Sequence, residues 1–190
     1  MAAGLACVVF APRSSIAPIP TAIPPTRSVE SHLHDLDQNH YTIWSKIRIT
    51  PSTEPPQTID YLLLGSAGLY VIAEHRPALP PDSSPSFSIH NEAIHTEGAS
   101  FSTANIDRVR RHADAVTKLI NERCGQRPNA TPTVLLRGWT CDHEPRPVEF
   151  GVLIGEPARL VEAINAAPRR LQPEQIKLWS EAINRSLQEA

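Results

Sequence analysis

The stretch QTIDYLLLGSAGLYVIAEHRPA, residues 57 to 78, constrains the fold more than any other part of this 190-residue chain. Two nearly continuous apolar runs, TIDYLLLG and LYVIAEH, flank the turn GSAG. Successive strand side chains point to opposite sides, so a run without polar alternation belongs to a strand covered on both faces. The pair therefore predicts a central hairpin in a sheet with helices on either side. Its polar groups stand out against that background: Asp60 early in the first strand, and Glu74, His75 and Arg76 at the end of the second.

Hydrophobic spacing orders the remaining elements. Val29, Leu33 and Leu36 recur at four and three residues, giving a short helix within 27–38. YTIWSKIRI alternates, placing Tyr41, Ile43, Ser45, Ile47 and Ile49 on one face and Thr42, Trp44, Lys46 and Arg48 on the other. SFSIH and AIHTEG around Asn91 and Glu92 predict a second, more exposed hairpin. Ile106, Val109, Ala113, Val116 and Ile120 form the stripe of a helix over 105–123, with Asn105 as N-cap and Gly125 as terminator. TPTVLLRGW and VEFGVLIG are read as two further core strands. Two helices over 157–167 and 173–187 close the chain, each with proline at its first position. The order αβββ(β)αββαα predicts an α/β domain over 27–190, a mixed sheet flanked by helices. Before it, residues 1–26 form a proline-rich arm of extended, polyproline II character.

Charge narrows the choice of partners. A net charge of -2 gives no global attraction to polyanions, so nucleic-acid contact requires a local basic patch. Arg108 and Arg111 of the long helix are the candidates, although Asp107, Asp114 and Glu122 share that helix. The proline-rich arm offers a handle for a protein partner. Three cysteines without CxxC spacing suit a reducing compartment, and the expected location is cytoplasmic. The apolar start MAAGLACVVF lacks a basic lead and is too short to span a bilayer, so no membrane association is expected.

The sequence TIDYLLLGSAGLYVI, with the helix IDRVRRHADAVTKLI, the strand PTVLLRGW and the tail RLVEAINAAPRRLQPEQIKLW, resembles the nuclease-related domain (NERD). That family is a branch of the PD-(D/E)XK restriction-endonuclease-like fold, and the likeness runs over about residues 27–188. The resemblance implies a restriction-endonuclease-like mixed sheet. It places Asp60 where the family carries a metal-binding aspartate, followed by a glutamate and lysine in the pattern E-x-K. Family spacing puts those two positions on Ala73 and His75 in this chain. Glu74 is displaced by one residue, and on a regular strand that turns its side chain to the other face. Glu30 is the acid on the first helix that matches the family's helix glutamate in kind.

Hydrolysing a phosphodiester with Mg²⁺ or Mn²⁺ needs hard oxygen ligands, usually two carboxylates, and a group that orients or deprotonates water. The resemblance and its departures together predict a nuclease-like scaffold that does not cut, or cuts poorly, and binds nucleic acid or another protein. The alternative is a Mg²⁺- or Mn²⁺-dependent DNase with a rearranged site. Asp60, Glu74 and His75 would then be catalytic, with Asp60, Glu74 and Glu30 as metal ligands.

Overall fold

Apolar residues on both faces of the central hairpin are satisfied by helices on both faces of one sheet. A computed structural model of the protein describes residues 27–36, 40–52, 55–76, 85–141, 144–148 and 151–189, and the proline-rich arm over 1–26 lies outside the described residues. The elements are α1 (Val29–Leu33), β1 (Tyr41–Ile49), β2 (Gln57–Gly65), β3 (Gly68–His75), β4 (Ser86–His90), β5 (Ala93–Glu97) and α2 (Ala104–Cys124). They continue with β6 (Ala130–Leu136), β7 (Arg146–Pro147), β8 (Leu153–Gly155), α3 (Pro157–Ala166) and α4 (Pro173–Gln188). This is a mixed α/β fold.

The six-stranded sheet has the order β1-β2-β3-β6-β8-β7. Its first three strands are antiparallel, while β3–β6 and β6–β8 are parallel. The crossover from β3 to β6 runs through β4, β5 and α2, so α2 lies over one face. On that side Leu62, Leu64, Val71 and Ala73 pack with Val109, Val116 and Ile120 of α2 and Trp179 and Ile183 of α4. On the other side Tyr61, Leu63 and Ile72 pack with Val29 and Leu33 of α1 and Leu160 and Ile164 of α3. Neighbouring residues of β2 thus enter different cores, which is why that run lacks alternation.

Tight turns fix the register. Gly65 pairs with Gly68 across a two-residue loop, Ser66–Ala67. A side chain at Gly65 would collide with the Tyr41 ring. The β4–β5 hairpin turns on Asn91 and Glu92, with φ of 51° and 62°, the signature of a type I′ turn. Helix α2 ends at Gly125 in the left-handed region, where its N–H donates to the Asn121 carbonyl at 2.8 Å.

Three sequence expectations are corrected. Asn105 is not the N-cap of the long helix: Thr103 occupies that place, and the Asn105 amide donates instead to the Ser102 carbonyl and the His75 ring. VEFGVLIG is not one strand. Gly151 turns with φ 70°, Val148 N–H donates to the Val152 carbonyl at 2.8 Å, and the strand begins only at Leu153. Nor does β1 keep one alternation along its length. Tyr41 and Ile43 pack on the α1 side, but Ile47 and Ile49 join Trp44 on the α2 side. The reversal falls at Lys46, whose φ is 52°.

Because the Gly65 position touches the Tyr41 ring, Gly65→Ala should destabilise the fold by roughly 2 kcal/mol through overpacking. A lowered urea midpoint with unchanged m-value is the expected result.

Candidate functional site

The reversal in β1 has a counterpart in β2. The β1–β2 ladder pairs Ser45 with Tyr61 and Ile47 with Ile59, passing over the rung where Lys46 faces Asp60. Tyr61 packs on the α1 side and Ile59 on the α2 side, so both strands change face at that rung. Register is the same before and after it. The β2–β3 ladder ends close by, at Tyr61 and Ile72, while β3 continues along β6 as far as His75 and Leu136. Strands β2 and β3 therefore part at Asp60, leaving backbone groups of β3 to be satisfied by something other than a strand.

Asp60 meets that need. Its Oδ2 accepts the backbone N–H of Glu74 at 3.0 Å, and Arg108 of α2 approaches the same oxygen to 3.8 Å. Glu74 itself follows strand parity. Ala73 is buried in the α2-side core, and the Glu74 carboxylate accepts from the Tyr61 hydroxyl at 3.3 Å and from Arg137 at 3.1 Å. Burial and the neighbouring Glu74 carboxylate push the Tyr61 phenol up to about 12, so it remains a donor. The opening is a cavity of about 280 Å³ lined by Lys46, Asp60, Tyr61, Glu74, Arg76 and Arg108.

Of the residues singled out in the sequence, Asp60, Glu74 and Arg108 meet at this opening. Glu30 does not line it; its carboxylate accepts from the Ser45 hydroxyl at 3.4 Å. His75 does not line it either. Its ring stands edge-on to Phe101 at 5.4 Å and tilted against Trp139 at 6.4 Å. The Asn105 amide nitrogen lies 3.2 Å from its Nδ1. Arg111 opens onto a neighbouring cleft. Lys46 was missed because alternation counted it as an outward residue of a regular strand. Arg137 carried a readable signal: it follows directly on β6, which the crossover sets beside β3.

A divalent cation needs carboxylate oxygens turned toward a shared point and free of competing positive charge. Here Arg108 stands beside Asp60, and Arg137 is bonded to Glu74. Among the described residues, no three His, Cys, Asp or Glu side chains gather into a group that could hold a metal ion. As arranged here, each carboxylate faces an arginine rather than a shared cation point. What the lining residues offer is a set of guanidinium and ammonium donors, of which Lys46 and Arg76 are exposed, a chemistry suited to phosphate oxygens.

Beneath the opening lies a set of half-satisfied polar groups. His75 Nε2, Arg108 Nε, His112 Nδ1 and Trp139 Nε1 are buried without a hydrogen-bond partner among the described residues. Burial, reinforced by Arg108, holds both histidines below their ordinary 6.5; Arg111 adds to this at His112, while Asp60 opposes it. Comparison with protein-family models, with curated proteins and with solved structures returned no match. Among the described residues, no helix is long and apolar enough to cross a membrane.

Lowered histidine values carry a sign. The neutral rings are favoured in the fold, whereas the unfolded chain takes up protons near 6.5, so stability is fully present above that pH and is lost progressively as pH falls from there through the lower folded values. Thermal melts between about pH 7.5 and 5.5 should show a falling midpoint, and His112→Gln should flatten that fall.

Proposed function

We propose that this protein is a nuclease-like scaffold that binds nucleic acid without cutting it, as its likeness to the nuclease-related domain and its substituted E-x-K positions suggest. One observation carries the reading. The opening at Asp60 and Glu74 has each carboxylate matched to an arginine, while Lys46 and Arg76 line the same cavity as exposed cations. Carboxylates held this way serve structure: Asp60 closes the parting of β2 and β3, and Glu74 anchors Arg137. The remaining positive groups attract phosphodiester oxygens, and no base-reading platform is needed.

A metal-dependent DNase is the second reading, and one observation favours it. Lys46 enters the opening from β1 and stands across from Asp60, supplying a lysine that His75 does not.

Two measurements separate these readings. Purified protein incubated with supercoiled plasmid and Mg²⁺ or Mn²⁺ should nick no faster than Asp60→Ala. Nicking that disappears in Asp60→Ala or Lys46→Ala would establish the DNase. In a salt series with a labelled oligonucleotide, affinity should fall as salt rises, and Lys46→Gln with Arg76→Gln should reduce the log–log slope by about 1.5. Negligible affinity at every salt concentration would instead leave the scaffold to a protein partner.

A further inference from the structure

A second concave surface adjoins the Asp60 opening and belongs to different residues. It is a cleft of about 710 Å³ between the start of β2 and the outer face of α2, lined in part by Gln57, Arg111, Asp114, Lys118, Asn121 and Arg127. Spacings of three, four and three put Arg111, Asp114, Lys118 and Asn121 on one face of the helix. Arg127 joins them from just beyond the Gly125 cap. Three cations therefore surround the cleft, against one acid among its described lining residues.

The acids elsewhere on α2 are engaged in other ways. Asp107 pairs with Arg110 at 3.9 Å, and the Glu122 carboxylate accepts both the backbone N–H and the hydroxyl of Ser52, at 3.1 and 3.0 Å. Arg111 and Arg127 make no ion pair among the described residues and are exposed. Long, fully charged side chains left without protein partners around a concavity are poised for an external anion.

Position makes the cleft more than a charged patch. Gln57 precedes Asp60 by three residues on β2, and Arg111 follows Arg108 by one turn of α2. The cleft and the opening are thus both bordered by β2 and α2 and share no lining residue. From Arg108 to Lys118 the helix rises about 15 Å, a length that spans about four phosphates of one strand along a B-form duplex.

We propose that this cleft is a phosphate-backbone subsite, in which Arg111 and Arg127 hold the sugar–phosphate chain of a nucleic acid whose adjoining phosphates lie at the Asp60 opening. The inference rests on the nucleic-acid reading given above and adds to it a second set of contacts. Recognition is independent of sequence, because the donors reach phosphates and none of the three tryptophans lines the cleft. Asp114 tempers the affinity from within.

The test uses the full chain and a fluorescently labelled 20-mer of mixed sequence, single-stranded and duplex, over a salt series by anisotropy. Arg111→Gln with Arg127→Gln changes two exposed side chains. It should weaken binding on the order of 10-fold at low salt and lower the log–log slope by about 1.5. Asp114→Asn should tighten binding severalfold. Thermal midpoints matching wild type exclude misfolding as the cause. If wild type binds with a clear salt slope and the double variant binds equally well with the same slope, the cleft is not a subsite and the opening alone is the contact. If wild type binds neither oligonucleotide, the nucleic-acid reading itself falls and this one falls with it.

Discussion

Burial of one hairpin on both faces is the constraint from which the rest of the architecture follows. From Tyr61 to Gly65 every residue of β2 is buried, alternately toward α2 and α4 or toward α1 and α3. Apolar side chains on both faces require helices on both sides, and a parallel partner for β3 requires a crossover. Helix α2 supplies one face and, through its place in that crossover, brings β6 alongside β3. Arg137 then emerges beside Glu74, and Arg108 above Asp60. The charged groups of the opening are thus placed by the packing of the apolar ones.

Where two-sided cover stops, the electrostatics begin. Asp60 sits one residue beyond the last β2–β3 rung, Tyr61 with Ile72, and its carboxylate takes the place of a strand carbonyl in accepting the Glu74 N–H. A backbone donor left unmet there would cost roughly 1 to 3 kcal/mol. An acid at this rung has a structural role whatever its chemistry. Bringing Arg108 near it and Arg137 onto Glu74 compensates both half-buried charges, and a partly buried pair of this kind gains more than a fully exposed one.

The elements that could be read from sequence are those dictated by burial alone. The β2–β3 hairpin, the stripe of α2, the Asn91–Glu92 turn and the proline-led α3 and α4 each carry a periodic or steric signal with one reading. Three features had no such signal. The change of face at Lys46 hides inside a perfect alternation, because Ile47 and Ile49 are apolar whichever core receives them. The loop through Gly151 is as apolar as a strand, and Val148 and Val152 are buried without being paired as one. Asn105 fits a cap by type, but a neighbouring ring competed for its amide. At the opening, Asp60 and Glu74 stood out in the sequence as acids inside an apolar hairpin. The arginines that answer Asp60 and Glu74 come from distant segments, and their convergence is a product of the tertiary fold.

The change of face at the Lys46 and Asp60 rung has one more consequence. Both strands flip together, so the pairing above and below is the same as if no interruption existed. The flanks, which hold the cores, therefore keep one register through the interruption. Lys46 is exposed there, whereas Asp60 stays tied to the Glu74 N–H. Display of charge and maintenance of shape are thus divided between the two residues of a single rung.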